Sequence, residues 1–305
     1  MIPPGRVPAL LCSVSAGLAM LGAVAAHAQT DAGALDRVAS LSAVFPAEPH
    51  DRAPRADFWL DGPPRQGSML IGQAPSFTQE LLFNGVAIPL TPEGFFLIGF
   101  DRDAPAEAML FARLSDGRAI EQKLAVAPGQ WRLEQVNADF RAGASNAEFA
   151  RRRPAELARI NAARRAHVAS GGWRQHFIMP AKGRISGLFG SQRIYRGKPG
   201  SYHGGADIAA GSGAVYIAPA DGVVVLTANE PFTLEGKLLI IDHGMGLSSA
   251  FLHSSELLVK EGDVVKQGQP IGKVGATGRA SGPHLHWGMK WNNARIDPLA
   301  IVARQ

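Results

Sequence analysis

Two histidines separated by one residue stand out in the C-terminal part of the chain. The stretch "SGPHLHWGM", residues 281–289, places His284 and His286 on either side of Leu285. Successive side chains of a β-strand point to opposite faces, so an extended segment puts both imidazoles on one face and the leucine on the other. Paired imidazoles suit metal binding or proton transfer, and a pair on a solvated sheet surface is the alternative.

A histidine and an aspartate four positions apart form a second candidate group. In "YHGGADIA", His203 and Asp207 can face the same side in a strand or at its end. Catalytic zinc sites use three nitrogen or oxygen ligands and leave a fourth position for water. These two residues and one histidine of "HLH" supply such a set, and His253 in "AFLHSS" adds another imidazole. Each motif alone is common by chance, whereas their combination in one β-rich region is unusual.

The other histidines of the C-terminal half lack such a setting. His243 in "IIDHGMG" is interpreted as a structural turn residue. His167 and His176 flank a predicted linker and have no acidic partner nearby, so both are interpreted as surface or packing residues.

The segment that contains the candidate residues has a pattern typical of β-structure. From Phe177 onward, apolar runs such as "AVYIAPADGVVVLTA", "KLLIIDHG" and "LSSAFLH" are broken by Gly, Pro and Asp. No helical periodicity of useful length interrupts them. We therefore predict a domain over residues 177–305 that is nearly all antiparallel β.

A smaller β-domain is predicted ahead of it, over residues 57–140. Short runs such as "SMLIG", "QELLFNG", "GFFLIGF" and "AMLFARL" alternate with turn signals at Asn84-Gly85 and Asp116-Gly117. Regularly spaced short strands predict a small β-sandwich. Its acids and arginines are scattered, which is typical of solvated strand faces and not of a catalytic group.

The two domains are joined by a predicted helical linker over residues 145–172. Its sequence is rich in Ala, Arg and Glu, which favour helix, and Gly171-Gly172 should stop it. Pro154 fits the first turn of this helix better than its interior. Its arginines could bind an acidic polymer, although a solvated helix face is favoured. A thin apolar stripe is formed by Leu157, Ile160 and Val168.

The N-terminus resembles an export signal. Residues 1–28 combine Arg6, an apolar stretch and a final "AHA", which predicts a cleaved signal peptide; an uncleaved membrane anchor is the alternative. Residues 29–56 are predicted to be a flexible leader. The only cysteine, Cys12, lies in the signal, so the mature protein has no disulfide or thiolate zinc site. Net charge falls from +5 to +4 without Arg6, and export argues against nucleic acid as a partner.

At the level of whole motifs, the C-terminal segment resembles the lysostaphin-type (LytM-like) zinc endopeptidases, which cut cell-wall peptides. The similarity runs from about Phe177 to Pro298, with "SYHGGADIAA", "LLIIDHGMGLSSAFLH" and "GRASGPHLHWGM" in the order typical of that family. It implies a fold of the duplicated hybrid motif type, a zinc cofactor and a peptidoglycan peptide as substrate. Less specifically, "NGVAIPL" and "FFLIGFDRDA" resemble an accessory domain found ahead of such peptidases in Gram-negative bacteria.

The resemblance also implies roles for single residues. His203, Asp207 and His286 match the zinc ligands of the family, and His253 and His284 match its non-ligand catalytic pair, with the division of labour between these two left open. The family often has Tyr two residues before the strand-end histidine. This chain has Phe251 there, which we expect to affect packing only.

Three functions follow, in order of preference. The first is a periplasmic endopeptidase that cuts the D-alanine to diaminopimelate cross-link. The second is a non-catalytic scaffold of the same fold that activates wall amidases, which the complete set of five site residues disfavours. The third is a carrier or sugar-binding module, which would not need these motifs. Residues 191–202 could form a rim or lid, and the N-terminal domain could cover the site or bind a regulatory protein.

Overall fold

The computed structural model describes residues 55–138 and 147–303. The predicted signal peptide, residues 1–28, lies outside the described residues, as does most of the predicted leader, residues 29–56. Over the described ranges, no helix combines the length and the apolar character needed to cross a membrane.

Short antiparallel strands build the N-terminal half. In chain order they are β1 (Trp59–Leu60), β2 (Met69–Gln73), β3 (Thr78–Phe83), β4 (Val86–Ala87), β5 (Phe95–Gly99), β6 (Glu107–Leu114), β7 (Ala119–Ala125) and β8 (Leu133–Val136). One sheet has the order β1-β2-β5 and the other β4-β3-β6-β7. Asn84 and Gly85 close the β3–β4 hairpin with φ of 50° and 78°, as a two-residue turn of type I′ requires. The buried faces of the two sheets share one apolar core, in which the ring centres of Phe83 and Phe100 are 5.7 Å apart.

The C-terminal half contains the larger sheet. Its strands are β9 (Arg184–Gly187), β10 (Gln192–Tyr195), β11 (Lys198–Pro199), β12 (Ala206–Ala209), β13 (Val215–Ile217), β14 (Gly222–Thr227), β15 (Lys237–Gly244), β16 (Leu247–Ser254), β17 (Glu256–Leu257), β18 (Val264–Val265), β19 (Pro270–Lys273), β20 (Leu285–Trp291) and β21 (Ala294–Ile296). The large sheet has the order β18-β14-β15-β16-β20-β12-β9, with β21 beside β20, and all its pairs are antiparallel. The prediction of a mainly β chain with an antiparallel C-terminal domain is confirmed.

The helices differ from the prediction at one proline. Helix α1 (Ala147–Arg164) begins seven residues before Pro154, so the proline lies inside the helix and not in its first turn. Proline has no N–H and therefore leaves the carbonyl of Ala150 without its helical donor. The helix also ends well before Gly171-Gly172, where a short 3₁₀ helix (Gly172–Arg174) follows instead. A second α-helix, α2 (Pro298–Val302), lies near the C-terminus.

Packing against the sheet explains why α1 continues through the proline. Ile160 and Ala163 are buried in a cluster with Leu226 of β14 and Ile240 of β15. Burial of this apolar face outweighs the lost hydrogen bond, since tertiary packing supplies most of a helix's stability. Of the predicted stripe only Ile160 is buried within the helix: Leu157 is 40% exposed and Val168 lies beyond the helix end.

The two β-rich halves are joined by direct contacts as well as by the chain. Phe83 packs edge-on against Trp291 of β20 at 5.8 Å. Arg102 donates from Nε to the carbonyl of Gly190 at 3.0 Å and from Nη2 to Oε1 of Gln192 at 2.9 Å. Strand β8 also pairs in parallel with β10. The N-terminal half thus holds the segment that leads to His203.

His243 is a structural residue, but it does not lie in a turn as predicted. It lies in β15, because that strand continues to Gly244, one residue past His243. Its side chain is fully buried. Its Nδ1 donates to the carbonyl of Asp221 at 2.7 Å, which leaves Nε2 to accept from Oγ of Ser249 at 2.9 Å. Ser249 in turn accepts from Nε1 of Trp287, next to His286. Burial lowers the pKa of His243 from 6.5 to about 4.

The buried imidazole of His243 makes stability depend on pH. Between pH 6.5 and 4 the unfolded chain binds a proton at this residue that the folded chain excludes, so the free energy of unfolding should fall as pH drops, by up to about 3 kcal/mol. Urea midpoints at pH 7 and pH 4.5 measure this loss. His243→Gln should be less stable at pH 7 but should lose this part of the pH dependence, and an unchanged dependence would contradict the account.

Candidate metal centre

Three neighbouring strands and one loop bring all five sequence-predicted site residues together. Asp207 of β12 lies directly opposite His286 of β20 in the antiparallel register. His203 comes from the loop before β12, and His253 is the penultimate residue of β16, on the other side of β20. His284 precedes β20 and shares its face with His286, because Leu285 between them is buried in the core.

Three of these side chains present ligand atoms to a common point. Nε2 of His203 lies 3.0 Å from Oδ1 of Asp207, and Nδ1 of His286 lies 2.8 Å from the same oxygen. The two nitrogens are 3.1 Å apart. Ligand bonds of about 2.0–2.2 Å to a tetrahedral zinc ion imply ligand separations of about 3.3–3.6 Å. The three atoms therefore fit one face of a zinc tetrahedron after a small expansion, and the fourth corner stays available.

The chemistry of this donor set suits a cation. Burial opposes ionisation of Asp207, but hydrogen bonds from His203 and His286 outweigh it and hold the pKa of the carboxyl well below its usual range. Burial lowers the pKa of His286, which favours the neutral imidazole that a metal requires. Burial opposes protonation of His203, but the hydrogen bond to Asp207 outweighs it and raises the pKa of His203. The space between the carboxylate and this imidazole therefore favours a positive charge.

Backbone carbonyls select the tautomers of His203, His253 and His284. Nδ1 of His203 lies 3.1 Å from the carbonyl of Leu188, which can only accept. Nε2 therefore donates to Asp207 when the ring is protonated and presents its lone pair to the ligand group when the ring is neutral. Such a bond from the outer nitrogen is typical of metal-binding histidines. Sequence reasoning did not find this contact, because nothing in the sequence marks a backbone carbonyl as a partner.

His253 and His284 form a pair beside these three residues. Their ring centres are 5.0 Å apart, and Nε2 of His284 lies 3.7 Å from Oδ1 of Asp207. His253 donates from Nδ1 to the carbonyl of Thr277 at 2.8 Å, and His284 donates from Nδ1 to that of Gly282 at 2.8 Å. Each therefore keeps the lone pair of Nε2 free when neutral. Burial lowers the pKa of His253.

His253 has an unusual backbone. Its φ of 66° lies in the left-handed region, where a residue with a side chain is strained. The register between β15 and β16 shifts at this point, which is the mark of a β-bulge. Bulges and strained residues concentrate at functional sites, where they direct a side chain that a regular strand would point elsewhere.

Two glycines that sequence reasoning missed make room for the centre. A Cβ at Gly187 of β9 would collide with the carboxylate of Asp207. A Cβ at Gly205 would collide with the carbonyl of Trp287 and lie 2.8 Å from Nε2 of His286. A glycine in or beside a strand often marks such a close approach, so "RISG" and "HGGAD" carried a usable signal.

The remaining predicted features are packing, rim and surface residues. Phe251 is fully buried and stacks on Tyr216 at 5.4 Å, in a packing role. Residues 191–202 form the β10–β11 hairpin, whose bonds to β8 and Arg102 favour a fixed rim over a lid. His167 and His176 are both exposed.

Comparisons with known proteins agree with the motifs. Residues 201–298, which include all five site residues, match the sequence model of Peptidase family M23. The peptidoglycan DD-endopeptidase ShyA of Vibrio cholerae is 40% identical over 114 residues, which are 37% of this chain and 26% of that protein. The cell division protein DipM of Caulobacter vibrioides is 32% identical over 143 residues, 45% of this chain and 22% of that one. The matched stretches thus span about a quarter of these relatives.

A solved structure extends the similarity beyond the C-terminal half. The crystal structure of a putative peptidase M23 from Pseudomonas aeruginosa covers 80% of this chain and 97% of its own, with 28% identity and a TM-score of 0.60. The resemblance of the C-terminal segment to the lysostaphin-type peptidases is therefore confirmed, and the roles of single residues remain predictions.

Two substitutions should separate ligand from non-ligand histidines. His286→Ala removes one of the three converging atoms, so zinc bound per chain should fall from near one to well below it. His284→Ala leaves all three in place, so the chain should keep its zinc and lose turnover. Elemental analysis after dialysis measures the metal. Full zinc occupancy in His286→Ala would contradict the ligand assignment.

Gly205→Ala tests whether the space beside His286 matters. The added methyl group should displace the imidazole and weaken zinc binding by about tenfold or more, as measured by competition with a chromogenic chelator. Gly211→Ala is the matched control, because nothing lies within 4 Å of a Cβ there. Equal zinc affinity in the two variants would show that the ring tolerates the methyl group.

Proposed function

We propose that this chain, with its M23 peptidase segment, is a zinc-dependent endopeptidase that hydrolyses peptide cross-links of peptidoglycan. The observation that carries the proposal is the open, three-ligand arrangement of nitrogen and oxygen atoms beside two further imidazoles with free Nε2 atoms. A bound zinc ion supplies a water of lowered pKa and polarises the scissile carbonyl.

Each site residue has a distinct task in this proposal. His203, Asp207 and His286 hold the metal. Neutral His253 and His284 each present Nε2 on the side of the ligand group, so one of them accepts the proton of the attacking water and passes it to the leaving amine. The other, once protonated, donates to the oxygen on which negative charge develops. Either histidine can take either task, because both have the same tautomer.

The substrate and the location rest on other support. Relatives of the C-terminal segment are named peptidoglycan DD-endopeptidases, and the N-terminal 28 residues have the pattern of an export signal. Together these favour a periplasmic enzyme that acts on the D-alanine to diaminopimelate bond. A regulatory protein bound to the N-terminal half is a further part of the proposal.

A non-catalytic scaffold that activates wall amidases is the alternative. Its support is that matches include a cell division protein and a lipoprotein, NlpD/LppB homolog, whose names claim no peptidase activity. The five site residues of this chain and the backbone-carbonyl bonds of His203, His253 and His284 favour the enzyme, because a scaffold has no use for selected histidine tautomers.

Digestion of cross-linked Gram-negative peptidoglycan by the full chain tests the proposal. We expect dimeric muropeptides to become monomers by mass analysis, chelation to abolish this conversion and zinc to restore it. His284→Ala is the control for a contaminating hydrolase and should show no conversion. Stoichiometric zinc without cleavage of any muropeptide would contradict the enzyme and favour the scaffold.

A further inference from the structure

Helix α1 lies outside the segment that matches the peptidase family, yet its charged side chains contact a loop that is hydrogen-bonded to His253. We propose that Arg153 and Glu156 of α1 are positioning residues for His253, acting through the loop of residues 231–236. This inference rests on the proposed function, in which His253 handles protons. Helix α1 then helps to position a residue of the site, in addition to connecting the two domains.

Three side chains of α1 form hydrogen bonds with the 231–236 loop. Both guanidinium Nη atoms of Arg153 donate to the carboxylate of Glu235, at 2.6 and 2.8 Å. Glu156 accepts from the backbone N of Thr233 at 2.8 Å and from its Oγ1 at 2.6 Å. Arg152 donates from Nη2 to the carbonyl of Pro231 at 2.6 Å. The loop therefore follows the position of the helix closely.

The same loop supports the backbone of His253. The carbonyl of Glu235 accepts from the backbone N of His253 at 2.9 Å, at the residue whose φ is strained. A left-handed residue within a bulge persists only when its surroundings hold it there. The side chain of Glu235 is held by Arg153 and its main chain holds His253, so one residue links the helix to the histidine.

The loop also supports the ring of His253 through Thr277. Oγ1 of Thr277 accepts from the backbone N of Lys237, directly after the loop, at 2.9 Å. The carbonyl of Leu234 accepts from the backbone N of Arg279 at 2.9 Å. Thr277 carries the carbonyl that selects the tautomer of His253. Movement of the loop would thus disturb both the backbone and the ring contact of His253.

The burial of these charges argues for a role in geometry. The side chains of Arg153 and Glu235 are 16% and 12% exposed, and that of Glu156 is 5% exposed. Buried ion pairs add little net stability over apolar contacts, but a bidentate arginine–carboxylate pair fixes direction and distance. The apolar face around Ile160 already attaches the helix to the sheet. A different acidic residue, Glu261, pairs with Arg159 of α1 from a loop that carries no site residue, and both side chains are 49% exposed. Arg159 itself also lies 5.3 Å from the ring of Phe232 in the 231–236 loop.

A charge exchange tests the link between helix and histidine. In the full chain, Arg153→Glu and Glu235→Arg should each lower kcat at least tenfold, with zinc content and KM nearly unchanged, because His253 shifts while ligands and substrate surface stay. The double variant restores an ion pair and should recover a large part of kcat. Glu261→Gln is the control, because it weakens the exposed pair with Arg159 and leaves every contact of the 231–236 loop in place, and it should stay within twofold of the parent chain.

A second readout keeps the inference separate from activity. The Nδ1–H of His253 should give a slowly exchanging proton signal in NMR spectra of the parent chain, which the single variants lose and the exchanged pair regains. Glu156→Gln, which keeps the shape of the side chain, serves if a charge variant fails to fold and should lower kcat in the same direction. An inactive parent chain would defeat the proposed function while this signal still tests the inference. Single variants with unchanged kcat and signal would overturn it.

Discussion

One carboxylate oxygen determines much of this structure. Oδ1 of Asp207 lies within 3.0 Å of two imidazole nitrogens that are themselves 3.1 Å apart. Three lone-pair atoms that face one point repel each other unless a proton or a metal ion lies between them. The fold holds them there by pairing β12 with β20, and Gly187 and Gly205 keep the space open. A bond from Nδ1 of His203 to the carbonyl of Leu188 then turns Nε2 of that histidine inward.

The supports of the site come from the whole described chain. The N-terminal half reaches the segment before His203 through Arg102 and through the pairing of β8 with β10. Helix α1 holds the 231–236 loop, which is hydrogen-bonded to the backbone of His253. The ligand group and the histidine pair are thus supported by different segments of the chain. Contacts between segments that are distant in sequence therefore help to fix the positions of the site residues.

Much of the site could be predicted because it depends on local spacing. The two-residue period of a strand correctly placed His284 and His286 on one face, and alternation buried Leu285. The position of Asp207 opposite His286 depends on register between strands, which sequence spacing does not contain. The path of α1 through Pro154 was missed because burial of Ile160 and Ala163 outweighs local propensity. His243 was placed in a turn because "DHG" resembles one, whereas the strand continues through it.

We propose that His203, Asp207 and His286 form an open zinc site made of nitrogen and oxygen only. X-ray absorption at the zinc edge of the loaded full chain tests it most directly. We expect four nitrogen or oxygen neighbours at about 2.0–2.2 Å, with the scattering pattern of two imidazoles and no sulfur. Zinc bound through sulfur, or with three or more imidazoles, would contradict it, because the metal would then lie away from Asp207 or involve the histidines assigned to proton transfer.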